Sequence, residues 1–391
     1  MAPSVSEAVS QVTDEIHEKI VPKSLPVQTE TKEESAPAVQ APSVETQHKE
    51  PLKLSGALDH FESFDVTPVI GREFVGVNLA KWLKAPNSDE LIRDLAITIS
   101  QRGVVFFRKQ DDITNELQKE LVQRLGQLSG KPSTSGLHIH PVSNSGRELG
   151  GKDDEISVIS SEQAKKIYRD KLLFQTEKKQ SGKEGWHSDI TFEPVEVHRP
   201  PHAPSKHNAD PNRHPLGIRL RSLRPHLHAR AKIPRIPNRH LRTTEIQRSR
   251  RRERLQNLSA PRGAPENVGE VLEAVHPVVR TNPVTGWKSI FALGHHVQRI
   301  NGLVEGESSA LLKWFVRLVV DNHDLQVRHR WQNANDLAIW DNRSVYHVAT
   351  PDYLDQDLGE RTGQRAVSLG ERPYFDPRST GRREALAGEE A

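Results

Sequence analysis

The apolar positions of this chain fall into two periods. Between residues 57 and 83, in LDHFESFDVTPVIGREFVGVNLAKWL, short β-rich pieces are broken by Pro and Gly. Leu91, Ile92, Leu95 and Ile99 then share one stripe at helical spacing behind the capping run Asn87-Ser-Asp-Glu, which predicts a helix. The run GVVFFRKQ that follows is continuously apolar at its core and predicts a buried strand. Leu117, Leu121 and Leu125, four residues apart, mark a second helix leading into LGQLSGKP. A third amphipathic helix is expected over EGESSALLKWFVRLVVDNH. Behind it, LQVRHRWQNANDLAIWDNRSVYHVAT reads as strands around an Asn-Ala-Asn turn, and no internal repeat is visible.

Composition changes this picture at the ends and in the middle. Only 34% of the 391 residues are hydrophobic, so part of the chain is expected not to pack. Residues 1–55 mix Pro, Glu, Ser, Val and Lys without an aromatic residue and are expected to form a disordered tail, with a second tail at 377–391. The folded domain is placed at 56–376. With no cysteine, disulfides, thiolate metal sites and thiol nucleophiles are excluded, so a transition-metal site must draw on His, Asp or Glu. There is no apolar run of about 18 residues, no signal-peptide core, and Glu7, Asp14, Glu15 and Glu18 argue against a mitochondrial presequence. A cytoplasmic, membrane-free protein is expected.

One segment breaks the pattern. From His198 to Arg254 there are 14 Arg and 2 Lys against 3 acidic residues, while the whole chain carries only +3. Seven of the 19 histidines fall there and no Phe, Tyr or Trp does. A basic arm neutralising phosphates is one reading and a solvated insertion another. Without stacking aromatics or a helix to display the charge, nucleic acid is not the expected partner.

Candidate chemistry sits in GWHSDITFEP. On a strand, His187 and Asp189 would leave the same face and converge on one point, as half of a facial triad of two His and one carboxylate that leaves coordination positions open. The third ligand chosen is His347, which follows a Trp-Asp-Asn turn and ends a strand. Its competitors are His138 and His140 in LHIHP, His276 in AVHPVVR, and His295 and His296 in GHHV. Neighbours on a strand face opposite ways, so His295 and His296 should not both serve one site.

WHSDITF, then IWDNRSVYHVATPDYL and GERTGQRAVSLGERPYF far downstream, resemble the taurine dioxygenase family of Fe(II)- and 2-oxoglutarate-dependent oxygenases, and most closely its fungal sulfonate dioxygenase branch. GVVFFRKQDDIT, GLHIHPVSNSGRELGGKDDEISVIS and AVHPVVRTNPVTGWKSIF are similar as well, and the resemblance spans residues 57–195 and 257–376. It implies a mainly β fold with flanking helices, a double-stranded β-helix or jelly roll. It also implies Fe(II) on His187, Asp189 and His347. Arg361 would clamp the remote carboxylate of 2-oxoglutarate by a bidentate fork. His140, Arg365 and Ile190 would contact the substrate, the first two through its sulfonate. Ser143 stands where the taurine enzymes carry a Tyr, which points away from taurine itself. The implied reaction hydroxylates the carbon bearing the sulfonate, giving sulfite and an aldehyde with succinate and CO2. The implied partners are a small sulfonate, 2-oxoglutarate and O2, with a homo-oligomer admitted. Alternatives are the same chemistry on a sulfate ester or aryloxyacetate, or a non-catalytic protein with a basic nucleic-acid-binding arm.

The family carries a GGDTLW-type block, whose Thr binds 2-oxoglutarate, where this chain has RHPLGIRLRSLRPHLHARAKIPRIPNRH. Read one base later, a permitted codon choice for Arg213 to His240 spells DTLWASGYEAYDRISTPVPKFLESLTA. Residues 196–255 are therefore expected to be a frame-shifted or mis-spliced translation, leaving the β-helix incomplete with a gap beside the His-Asp pair, since burying unpaired charge is prohibitive.

Overall fold

The computed structural model describes residues 49–141, 153–160, 185–195, 197–199, 201–205, 217–222, 240–244, 258–291, 293–349 and 362–389, all within one compact unit. In chain order the strands are β1 (Ser63–Asp65), β2 (Arg72–Phe74), β3 (Val104–Phe107), β4 (Ile156–Ser160), β5 (Val197–Arg199), β6 (Pro201–Ser205), β7 (Gly217–Ser222), β8 (His240–Thr244), β9 (Glu273–Pro277), β10 (Val279–Thr281), β11 (Lys288–Ile290), β12 (Val297–Ile300), β13 (Gln326–Arg330), β14 (Leu337–Trp340), β15 (Val345–Ala349), β16 (Thr362–Ala366) and β17 (Ser368–Leu369). The helices are α1 (Leu79–Lys84), α2 (Ser88–Arg102), α3 (Asn115–Gln127), α4 (Glu305–Val320) and α5 (Arg382–Glu389).

Strand alternation builds two of the apolar clusters among the described residues. A seven-stranded sheet runs β1-β2-β3-β14-β6-β16-β4. Successive side chains of a strand leave opposite faces. Val105 and Phe107 of β3 therefore join Leu337 and Ile339 of β14 and the buried stripes of α2 and α3 in one apolar cluster. Val104, Phe106, Ala338 and Trp340 join Val327 of β13 and Val345 of β15 in another. Helices thus cover one face of the large sheet, and the three-stranded sheet β13-β7-β15 covers the other. The remaining strands form a β12-β8-β9 sheet and the pairs β10-β11 and β17-β5.

The three expected helices are present as α2, α3 and α4. Asp89 and Glu90 fill the first turn of α2, where the exposed N–H groups favour negative charge. Asn87 occupies the cap position of α2 but makes no capping hydrogen bond; Ser88 Oγ instead donates to the Leu83 carbonyl at 3.0 Å. At α3 the Thr114 hydroxyl accepts from the Leu117 N–H at 3.2 Å.

Three expectations are corrected. The basic segment does not leave a gap, because it supplies β5, β6, β7 and β8. β6 lies between β14 and β16, and β7 pairs five residues with β13 on one side and five with β15 on the other. Main-chain N–H and C=O groups pair whatever the side chains are, so a strongly basic sequence can still complete a ladder. The rest of the segment, 196, 200, 206–216, 223–239 and 245–255, lies outside the described residues. The C-terminal stretch expected as a tail is also built in: the Lys288 N–H bonds Thr380 O at 2.8 Å, Trp287 bridges Thr380, and α5 follows. At the other end, order begins before residue 56, since the Leu52 N–H bonds Val284 O at 2.9 Å. The buried Asp94 carboxylate accepts from the backbone of Ser55, Gly56 and Ala57. Residues 1–48 lie outside the described residues. Among the described residues no helix is long and apolar enough to cross a membrane.

Candidate functional site

Two short backbone bonds create the site. The His187 N–H bonds His347 O, and the His347 N–H bonds His187 O, each at 3.0 Å, so the segment carrying His187 is stitched onto β15 at a single residue pair. One nitrogen of each His and one oxygen of Asp189 all lie within 4.8 Å of one another, the one such His and carboxylate cluster among the described residues. His187 Nε2 is 3.7 Å from Asp189 Oδ1, and His347 Nε2 is 3.6 Å from Asp189 Oδ2. His187 Nδ1 lies 2.8 Å from the Gly185 carbonyl. A carbonyl can only accept, so that nitrogen carries the proton and Nε2 keeps a lone pair for the centre. Close approach elsewhere is arranged by Gly294, where a Cβ would fall 2.4 Å from Trp186 O and 2.7 Å from the His187 Cβ.

The convergence does not arise from an extended strand. Only His187 is bridged; Asp189 and Ile190 lie in a turn, with Ile190 at φ 59. Asn342 holds that turn, its Oδ1 accepting from the Asp189 N–H at 3.1 Å and its Nδ2 donating to Asp189 O at 3.0 Å.

The electrostatics keep Asp189 and His347 unprotonated. Burial alone would raise the Asp189 carboxyl, but Arg365, whose Nη1 donates to Oδ2 at 2.8 Å, together with His347 and His187 holds it well below the usual range. Burial pushes the His347 imidazole down to about 3 against the opposing pull of Asp189. Two imidazoles and a carboxylate on one side of a space, with no thiolate in the chain, fit Fe(II) with open positions.

The other predicted residues separate into groups. Arg365 is buried against Asp189, and its Nε has no partner among the described residues. The His140 ring lies 6.2 Å from that of Phe192, and burial pushes it down to about 3. Ile190 is buried with Phe192 and Val195. Arg361 and Ser143 lie outside the described residues. Of the competing histidines, His276 is engaged elsewhere, its Nε2 2.8 Å from Thr191 O. His138 Nε2 faces Glu193 at 3.6 Å. His295 and His296 stand in a turn ahead of β12, so the opposite-face argument does not apply: their rings lie 4.9 and 5.8 Å from that of His187.

Sequence reasoning missed the scaffold around the turn. Arg262 grips Glu193 with two nitrogens, at 2.5 and 2.9 Å, and also donates to Leu258 O and Gly269 O. Asn267 bonds both the N–H and the carbonyl of Val195. Thr243 of β8 donates to Thr191 O at 2.6 Å. The signal available was Asn342, inside the IWDN stretch already singled out for His347.

A family model for the taurine catabolism dioxygenase TauD, TfdA family matches residues 62–198 and 229–367. The chain belongs to this family. It is 47% identical over 364 residues to the alpha-ketoglutarate-dependent dioxygenase btcD of Neocamarosporium betae, covering 86% of this chain and 98% of that protein. To the alpha-ketoglutarate-dependent sulfonate dioxygenase of Saccharomyces cerevisiae it is 27% identical over 311 residues, covering 80% and 67%. A solved taurine dioxygenase from Burkholderia xenovorans superposes with a TM-score of 0.56 at 20% identity, over 82% of this chain and 93% of that one, which shows a shared mixed α/β fold. The TauD-family chain is a 2-oxoglutarate-dependent dioxygenase using Fe(II), with 2-oxoglutarate and O2 as co-substrates.

Proposed function

We propose that His187, Asp189 and His347 hold the Fe(II), that Arg361 clamps 2-oxoglutarate, and that the substrate is a small alkyl sulfonate held by Arg365 and His140 beside Ile190. Fe(II) bound there supplies the oxidative decarboxylation of 2-oxoglutarate to succinate and the delivery of one oxygen atom to a substrate C–H bond. The protein groups bind and orient. Arg365 offers an unpartnered Nε toward an anion while its Nη1 keeps Asp189 ionised. The His140 imidazole supplies a further donor. Hydroxylation at the carbon bearing the sulfonate leaves an unstable product that separates into an aldehyde and sulfite. The sheets flanking this site would then be the two halves of a double-stranded β-helix.

The observation that carries the reading is the buried Arg365 against Asp189, one fixed cation next to the donor set. The yeast relative's name adds support for a sulfonate. The test supplies Fe(II), 2-oxoglutarate and a panel of alkyl sulfonates, sulfate esters and aryloxyacetates, and measures succinate and sulfite. Equimolar sulfite and succinate from a sulfonate is the expected result. Succinate stimulated by the esters or aryloxyacetates and never by a sulfonate would move the substrate class.

A further inference from the structure

Among the described residues with positive φ, Lys109, Ile190 and Asn335 are not glycine, and Ile190 alone is β-branched. In the left-handed region its Cβ crowds the following carbonyl, so an Ile there is a strained residue. Such strain persists only where the surroundings over-determine it. Here the surroundings are specific. Asn342, 1% exposed, spends both ends of its amide on the main chain of Asp189, the residue just before Ile190. The Glu193 N–H closes the turn onto Ile190 O at 3.1 Å. Asn342 itself is fixed by its neighbour Asp341, whose carboxylate accepts from Ser100, Asn282 and Arg343. The same loop runs directly into β15 and His347.

We propose that Asn342 is a positioning residue for the metal centre: its two hydrogen bonds hold the Asp189 peptide and the strained Ile190 in the conformation that aims the carboxylate between His187 and His347. One amide thereby ties the Asp189 turn to the loop that delivers His347. The inference rests on the reading of these three residues as metal ligands, and it concerns the geometry of the free protein, so it is tested without turnover.

Mn(II) is titrated into the metal-free protein and the free ion is read by electron paramagnetic resonance, with a thermal melt of each variant alongside. Asn342→Ala should bind Mn(II) about 10–100-fold more weakly, the usual effect of losing a group that orients a ligand, while still melting cooperatively. Asn342→Ser carries the same comparison where the alanine variant folds poorly. Glycine enters the left-handed region freely, so Ile190→Gly in the Asn342→Ala background should regain at least about fivefold in affinity. A merely structural asparagine would lower the melting temperature and leave the affinity of the folded protein alone. Wild-type affinity in Asn342→Ala, beside lost binding in Asp189→Ala, would overturn the proposal by itself. Wild-type affinity in Asp189→Ala would overturn the ligand assignment and the proposal together. A double variant no tighter than Asn342→Ala would remove the role given to Ile190.

Discussion

At the scale of single residues, the centre depends on which groups are free to give lone pairs. Replacing His187, Asp189 or His347 by Ala should abolish substrate-dependent succinate formation, measured by coupled assay. His276 is spent on Thr191 O, so His276→Ala should lower stability rather than metal binding. Arg365 pairs with Asp189 and is proposed to hold the substrate as well, and pH separates the two roles. The Asp189 carboxyl is held below its ordinary range, so this ligand should stay ionised and open to a metal until pH drops through that depressed value. Arg365→Gln removes the cation that Oδ2 faces, raises the carboxyl, and should move the acid loss of Mn(II) binding to higher pH. A binding profile against pH that does not move would show that Arg365 serves the substrate alone. Arg361→Ala, by contrast, should chiefly raise the concentration of 2-oxoglutarate needed for half-maximal rate.

At the scale of elements, the strand carrying His347 is positioned by what packs behind it. Gly103 ends α2 at φ 78, and a Cβ there would fall 2.9 Å from Val345 Cγ2 on β15. Both the left-handed backbone and the contact oppose a side chain. Gly103→Ala should destabilise the protein by about 1–2 kcal/mol or more in urea unfolding, with Val345→Ala restoring only the part due to the contact. A second element-level joint is the loop after β14. Asp341 and Arg343 are both fully buried and paired through two nitrogens, Nε and Nη2, at 2.8 and 2.7 Å. Asp341→Ala removes the closest partner of the buried guanidinium and leaves it Glu371 at 3.6 Å and the Ser100 hydroxyl, which should cost up to about 3–5 kcal/mol, read as an earlier urea midpoint.

For the whole molecule, the open matter is the basic segment. The family match stops at residue 198 and resumes at 229, inside the stretch whose composition departs from the rest. Its backbone nevertheless enters four sheets, through β5, β6, β7 and β8, at a cost that can be named. β6 is an interior strand containing Pro201 and Pro204, neither of which has an N–H to donate. That cost lies outside residues 213–240, so replacing 213–240 with the reading one base later tests the rest of the segment: it should raise the melting temperature and tighten 2-oxoglutarate binding, both measurable on the purified variant. Equal stability of the two chains would sink the frame-shift account and return the basic segment to consideration as a surface for nucleic acid, detectable as salt-dependent binding.

What the chain determined by itself was whatever depends on neighbours in sequence. The apolar stripe of Leu91, Leu95 and Ile99, the continuous run Val104–Phe107 and the long Glu305 helix are local patterns, and each became the element its period implied. The clustering of His187, Asp189 and His347 was legible because two short motifs similar to the family's carry them, while the absence of cysteine removed only thiolates from the candidates. Tertiary structure decided the rest. That Asp189 sits in a turn and not a strand, that Asn342 holds it across 153 residues of chain, and that Arg262 grips Glu193 are long-range hydrogen bonds. No periodicity records such bonds, since a side-chain amide or guanidinium has no preferred partner until the fold brings one within 3 Å. The basic segment shows the same division from the other side: its side chains argued against a strand, and backbone pairing with β13, β14, β15 and β16 placed strands there all the same.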